Sequence, residues 1–361
     1  MIIAILATVL LAYVIFIILT IAGWNKNAIS IQENDDLVSV VVPFRNEQNN
    51  LETTINSILA NKGNFELILV NDHSEDNSLS IALDYESKYD HVTVLTLPKE
   101  TGKKAAIKLG VENANGEIIL QTDADCLVQK DWIITLNKAV SPNVKLLIGP
   151  VKIQTTLEKW NWFNQLEFGF LQAFTCASAN YNYPIMANGA NMMYLKSVYW
   201  EYENSKLGAE YASGDDQFLL NYVKSTHKNA IKYLKDSSAV VTTYCSSDWN
   251  HMLKQRARWA KKNTKSSGID AVVSLFLLFA QFILPTTLVL CFFNVHLIAF
   301  FWSVLILKTA VEFILANQFM KFFHINRLKY IPLFALVYPF FILRTILLVN
   351  DYNHLWKGRR V

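Results

Sequence analysis

Charge and cysteine are both scarce in this chain, and the glycine patterns of common nucleotide-binding loops are missing. Charged residues make up 17% of the 361 positions and apolar residues 52%, a balance too apolar for a purely soluble protein. The net charge of +3 is too small to mark a nucleic-acid binder, and no basic face interleaved with aromatics occurs. Four cysteines, Cys126, Cys176, Cys245 and Cys291, form no C-x-x-C pair and no disulfide framework. Scattered among apolar neighbours, they suit a reducing compartment. No Cys/His cluster has zinc-ligand spacing. No G-x-G-x-x-G follows the first predicted strand and no G-x-x-x-x-G-K-[ST] occurs, which disfavours a dinucleotide enzyme and a P-loop NTPase.

What is present is long uncharged sequence. Ile2–Ala22 and Ala271–Leu307 contain no Asp, Glu, Lys or Arg. The first is long enough to span a bilayer once, the second nearly twice. The N-terminal run has no basic start, is too long for a signal-peptide core and is followed by no A-x-A site, so a retained signal anchor is expected over 1–24. Lys26 and a Lys-bearing domain follow it, which places the middle domain in the cytoplasm; the basic loop "KFFHINRLK", 321–329, belongs on the same side. Lys308 and Glu312 read as an i, i+4 pair near the membrane edge. The other reading of that pair is a functional intramembrane site, as in a transporter. The stretch 330–349 is interrupted by Pro332, Pro339 and Arg344. It is expected to dip into the membrane and return, leaving Trp356–Arg360 cytoplasmic.

Residues from about 37 to 265 carry the chemistry. "LVSVVVPF", "FELILVND", "HVTVLTLP" and "GEIILQTDAD" read as strands, with helical periodicity between them in "NNLETTINSIL" and "GKKAAIKLGVENA". Strands alternating with helices predict an α/β fold with a mostly parallel sheet, in which functional groups gather at the carboxyl ends of strands. Arg45–Glu47, Asp72, Lys103–Lys104 and Asp123–Asp125 all fall at or just past such ends. If the strand stays extended, Asp123 and Asp125 point to the same side and need a cation between them. A lone D-x-D is also how a solvated turn reads; the shared position at strand ends favours function. The pair suits a hard divalent ion, Mg2+ or Mn2+, held with substrate phosphates. Asp215 and Asp216 precede a helical run, so a helix N-terminal role stands beside a chemical one. "QRARW" also fits an interfacial helix before a span.

The strings "VVPFRNEQNNLETTINSIL", "LILVNDHSEDNS", "GKKAAIKLGVENANGEIILQTDADC", "NGAN", "SGDDQFLL" and "QRARW" together resemble glycosyltransferase family 2. The similarity is to its membrane-bound branch, with cellulose, chitin and hyaluronan synthases and ceramide glucosyltransferase. The resemblance implies a GT-A fold between N- and C-terminal transmembrane helices. It also implies a nucleotide-sugar donor, usually UDP-linked, and a lipid or glycan acceptor. By that resemblance Pro43, Glu47 and Asp72 line the nucleoside pocket, and Lys103 lies near the base or diphosphate. Asp123 and Asp125 match the D-x-D, with Asp125 the more direct metal ligand. Asn188, Gly189 and Asn191 of "NGAN", with Gln255, Arg258 and Trp259 of Q-x-x-R-W, fall on the acceptor and diphosphate side. Asp216 matches the general base. Asp215 stands where the family motif has Glu, a shorter carboxylate, so which of the two is the base stays open.

The implied domains are an anchor at 1–24, a catalytic domain at 37–265 and a C-terminal membrane region at 270–361. In the catalytic domain, about 37–130 forms the nucleotide half, 131–245 the acceptor half and 247–265 the Q-x-x-R-W helix. The implied reaction is an inverting displacement at the membrane surface. Single transfer to a lipid is set against a processive polysaccharide synthase with partner subunits for export. A non-catalytic sugar-nucleotide-binding scaffold is a third reading, opposed by the presence of every acidic position.

Overall fold

The computed structural model describes residues 2–26, 29, 31–157, 159–209, 214–244, 248–263, 268–351, 355–356 and 359–360. The chain divides into two compact units. One holds Lys26–Gln154 and Ser178–Tyr244; the other holds Met1–Asn25, Thr155–Ala177 and Cys245–Asn353. The single catalytic domain read from the sequence at 37–265 is thus cut, with 155–177 and the Q-x-x-R-W segment in the second unit.

The first unit is an α/β sheet. In chain order come β1 (Val38–Phe44), α2 (Leu51–Leu59), β2 (Phe65–Asn71), α3 (Ser78–Glu86), β3 (Val92–Thr96), α4 (Lys103–Asn113), β4 (Ile118–Gln121) and β5 (Cys126–Leu127). There follow α5 (Trp132–Asn137), β6 (Leu146–Ile148), β7 (Val151–Ile153), β8 (Met192–Leu195), α7 (Lys196–Ser205), α8 (Asp215–Thr226), β9 (Ile231–Tyr233) and β10 (Val241–Thr243). The main sheet runs β3-β2-β1-β4-β8-β6-β9. The pairs β1–β2, β2–β3, β1–β4 and β6–β9 are parallel, and β8 runs antiparallel to both its neighbours. Every residue of β1 is buried, as a central strand covered on both faces requires. A small second sheet, β5-β10-β7, holds the chain just after the D-x-D.

The order reverses between β1 and β4, which makes their carboxyl ends a topological switch point. Pairing of β1 with β4 stops at Val41–Gln121, while pairing with β2 continues through Pro43–Val70. Pro43 therefore lies where β1 has already lost one neighbour, so a missing N–H is tolerated in an otherwise central strand.

The second unit is helical: α1 (Ile2–Asn25), most of α6 (Asn161–Asn180), α9 (Trp249–Asn263), α10 (Ile269–Gln281), α11 (Ile283–Phe293), α12 (Ile298–Phe323) and α13 (Ile331–Asp351). Among the described residues, four stretches are long and apolar enough to cross a membrane: Ile2–Asn25, Ile269–Phe293, Val295–Phe323 and Leu328–Val349. The break at Phe282 has a local cause. Pro285 has no N–H to give, and its ring opposes the carbonyl of Gln281, where α10 ends.

Two expectations change here. Residues 331–351 form one helix that runs through Pro339, with no turn to carry a dip and return. Pro332 sits in the first turn, where its N–H has no intrahelical partner to lose, so only Pro339 interrupts the ladder. Residues 357–358 of the tail lie outside the described residues. Lys308 and Glu312 do pair, but in the middle of α12 and fully buried, not at a membrane edge. The uncharged run ends at Leu307, yet the helix continues because an internal ion pair hides its two charges.

Candidate active site

The site is built on the carboxyl ends of β1, β2 and β4. Arg45, just past β1, donates from Nη1 to the carbonyls of Asp72 (2.8 Å) and His73 (2.9 Å) and from Nη2 to Glu75 (3.0 Å). It thereby ties the ends of β1 and β2 together. Asp72 is fully buried, and one carboxylate oxygen accepts the N–H of Gly102 at 3.0 Å. Gly102 has φ +103°, a conformation L side chains rarely adopt, so the glycine of "GKK" is what brings this N–H to Asp72. Glu47 is half-buried at the rim, its N–H given to Ser78 Oγ (2.7 Å) and its carboxylate accepting from Asn50 (3.0 Å).

The two D-x-D carboxylates converge, though not by strand alternation. β4 ends at Gln121, and Asp123–Cys126 is a turn closed by the Cys126 N–H on the Asp123 carbonyl at 3.1 Å. The turn brings oxygens of Asp123 and Asp125 and the Cys126 sulfur within 4.8 Å of one another. Lys103, at the start of α4, forms an ion pair with Asp123. Burial alone would lower the Lys103 ammonium, but Asp123, Asp215 and Asp216 together outweigh it and hold it above its usual value. Lys103 thus links the D-x-D turn to the acid pair on α8.

Asp215 and Asp216 form the first turn of α8, behind Gly214 at the N-cap. Both lie at the favourable end of the helix dipole, and the N-cap itself is a glycine with no side chain to offer. Their surroundings differ. Asp215 is buried and accepts from Gln121 Nε2 at 3.1 Å, while Tyr194 donates to the other end of the same amide at 3.1 Å. Asp216 is half-buried and, among the described residues, accepts from the backbone N–H groups of Gly189 (3.2 Å) and Gln217 (2.8 Å). Gly189 leaves room for this closeness: a Cβ there would stand 2.9 Å from Gln121 Nε2 and 3.3 Å from Lys103 Nζ, and those side-chain ends would have to shift. Asn188 shapes the same loop, its side chain accepting from Ala190 N–H at 3.0 Å.

Asn191 departs from its expected place beside the acceptor. It is fully buried, donates to the carbonyls of Pro150 (2.9 Å) and Ala239 (2.8 Å), and accepts from Trp132 Nε1 (3.0 Å). Both of its side-chain N–H groups and its amide oxygen are engaged in the core, so it shapes the fold. Gln121 is the residue that sequence reading missed. A glutamine closing the apolar strand "IIL", two positions before the first Asp, was the available signal.

Gln255, Arg258 and Trp259 lie half-buried on α9, in the helical unit. There Trp249 on the same helix packs against Phe163 (5.1 Å between ring centres) and Phe341 (5.2 Å).

The donor set by the turn suits a hard divalent ion. Asp123 and Asp125 offer two carboxylates, the chemistry Mg2+ and Mn2+ prefer. Cys126 is fully buried, and burial, then Asp125 and Asp123, push its thiol well up, so it stays protonated and outside a hard-ion ligand set.

Residues 39–203 match the model of glycosyl transferase family 2. Among curated relatives, the chain is 29% identical over 139 residues to glycosyltransferase AglE of Haloferax volcanii, 36% of this chain and 46% of that one. It is 36% identical over 115 residues to the mouse dolichyl-phosphate beta-glucosyltransferase, 29% of this chain and 36% of that one. It is 32% identical over 132 residues to the dolichol-phosphate mannosyltransferase of Pyrococcus furiosus, 36% and 37% of the two chains. The chain therefore spans less than half the length of these relatives. Among solved structures, the mannosyltransferase PcManGT of Pyrobaculum calidifontis, determined with GDP-Man and Mn2+, covers 96% of both chains with a TM-score of 0.63 at 15% identity. The likeness is one of fold, and it bears out the GT-A architecture with N- and C-terminal membrane-length helices. Residues 39–203 thus carry a glycosyl transferase family 2 segment, the family that the motifs resemble.

Proposed function

We propose that the protein is a membrane-bound inverting glycosyltransferase. It moves a sugar from a nucleoside-diphosphate sugar to a hydroxyl of a lipid-linked or glycan acceptor at the cytoplasmic face of the cell membrane. The observation that carries this reading is the Lys103 bridge, which brings the D-x-D turn and the Asp215–Asp216 pair into one electrostatic cluster at the switch point.

Asp72 and Glu47, at the ends of β2 and β1, are suited to accept hydrogen bonds from base or ribose. Asp123 and Asp125 would hold Mg2+ or Mn2+. When bound there, the ion supplies neutralising charge for the departing diphosphate. Asp216, the more accessible acid of its pair, takes the proton of the acceptor hydroxyl as that oxygen attacks the anomeric carbon. The bond to the diphosphate breaks on the opposite side, so an α-linked donor gives a β-linked product. Lys103 adds positive charge beside the reacting groups. The membrane-length helices and the lipid-phosphate names of two relatives favour a lipid-linked acceptor. The family resemblance favours a UDP-linked donor, whereas the fold neighbour was determined with GDP-Man.

The test is transfer by purified protein in lipid, with a panel of labelled UDP- and GDP-sugars and Mn2+ or Mg2+. Products are sorted into lipid-extractable and polymeric fractions. We expect label in the lipid fraction, lost in Asp125→Asn together with metal-dependent donor binding by calorimetry. Polymeric label would assign a polysaccharide synthase with export partners. No transfer from any donor, or full activity in Asp125→Asn, would overturn the proposal.

A further inference from the structure

One arginine inside the Q-x-x-R-W segment belongs to none of the three motif positions, yet every nitrogen of its guanidinium is engaged. Arg256 is 6% exposed and its partner Glu167, on α6, 4%. The two make a bidentate pair, Nε to Oε1 at 2.9 Å and Nη2 to Oε2 at 2.6 Å. Nη2 also donates to Asn164 at 3.3 Å, one helical turn before Glu167 on the same face of α6. The remaining nitrogen, Nη1, donates to the side-chain oxygen of Gln255 at 2.6 Å. The guanidinium carbon stands 4.2 Å from the centre of the Trp259 ring and 5.7 Å from that of Phe168. One planar group thus touches two of the three motif side chains and is locked from the other side by a carboxylate and an amide.

We infer that Arg256 is a positioning residue, anchored by Glu167, that orients Gln255 and Trp259 for the transfer reaction. The chemistry of the groups fixes the orientation of Gln255. A guanidinium has only donors, so the Gln255 atom facing it is the amide oxygen. The Gln255 amide nitrogen is left to act as a donor, the polarity needed for a diphosphate oxygen or a sugar hydroxyl oxygen. The same guanidinium lies over the indole, where the attraction of a cation for the ring face holds the ring plane. Lysine cannot reproduce this. A single ammonium has neither the fork that engages Glu167 nor a flat face for Trp259.

This inference rests on the glycosyltransferase reading for its kinetic consequence, but not for its structural one. The experiment compares wild type, Arg256→Lys and Gln255→Glu, each in lipid and labelled with 5-fluorotryptophan. The Trp259 resonance is identified by its absence in Trp259→Phe. We expect Arg256→Lys to move that resonance and to lower kcat about 100-fold, the scale of loss for a misplaced group, with donor affinity by calorimetry within about two-fold of wild type. Gln255→Glu keeps an oxygen for Arg256 but removes the amide donor. It should leave the resonance in place and lose kcat to a similar extent. An unmoved resonance in Arg256→Lys overturns the inference whether or not the protein transfers sugar. So does a moved resonance with wild-type kinetics, or a Gln255→Glu variant of full activity. If wild type transfers nothing, the proposed function fails, and the resonance still decides whether Arg256 sets the position of Trp259.

Discussion

Asp215 and Asp216 are adjacent, identical and on one helical turn, yet their partners divide their roles. Asp215 is held in the interior by the Gln121 amide, itself braced by Tyr194, so one of its oxygens is committed to a buried hydrogen bond. Asp216 rests on two backbone N–H groups and keeps part of its surface open. Asp216→Asn should therefore lower kcat by about 10²–10⁴, the range for a lost general base, with donor affinity nearly unchanged. Asp215→Asn should instead act through stability, because it disturbs a buried hydrogen-bonded acid. Steady-state kinetics and thermal unfolding of the two variants separate these outcomes. Loss of turnover in Asp215→Asn alone would exchange the roles. A small kinetic effect in both would point to an acceptor whose nucleophile is already ionised, such as a lipid phosphate. Much of this cluster was legible in the sequence, because an acid ending an apolar strand has few structural reasons to be there. The partners were not. That Lys103 faces Asp123, that Gln121 clasps Asp215 and that Asn191 is spent in the core depend on contacts between segments far apart in the chain.

At the scale of elements, the strands and helices of the nucleotide half were readable because β-branched runs and helical periodicity alternate cleanly from 37 to 121. The D-x-D turn was misread as strand, since nothing in "QTDADC" marks where extension ends; the hydrogen bond from Cys126 to Asp123 decides it. In the helical unit, the sequence puts the Lys308–Glu312 pair near the membrane edge, and α12 instead carries it through its middle. Tyr13 on α1 donates to the same Glu312 oxygen at 2.7 Å, and the Lys308 ammonium lies 5.2 Å from the centre of the Tyr13 ring. The ion pair is thus also a clamp between α1 and α12. Removing one partner should be far worse than removing both. Lys308→Met leaves a buried carboxylate without its cation and should destabilise the protein by about 3–5 kcal/mol. Lys308→Met combined with Glu312→Leu should recover most of that loss. Thermal unfolding in one detergent decides it; a double variant no more stable than the single would show that the pair is not what holds the helices.

For the whole molecule, the open quantity is the side on which the C-terminus lies, and it turns on α13. With the N-terminus outside and the sheet unit cytoplasmic, the orientation proposed above, Ile2–Asn25 would make the first crossing, and Ile269–Phe293 with Val295–Phe323 would return the chain inside. Two effects then compete over Leu328–Val349. Arg344 lies five residues from the end of that span and opposes insertion by at most about 2.5–3.5 kcal/mol, the cost at a helix centre, and the basic residues after Trp356 favour the inside. Against this, the thirteen Leu, Ile, Phe and Val residues between 331 and 349 each favour insertion by about 0.3–0.6 kcal/mol, together about 4–8. The helix is unbroken, so its backbone imposes no further penalty beyond the single bond lost at Pro339. Insertion wins on these magnitudes, against the expectation drawn from the prolines, Arg344 and the basic tail. We expect a fourth crossing and an external C-terminus. In a background without native cysteines, Gly358→Cys should react with an impermeant maleimide in intact cells, while Asn326→Cys, in the loop before α13, should react only after permeabilisation. Protection of both positions in intact cells would mean that α13 lies along the inner face without crossing.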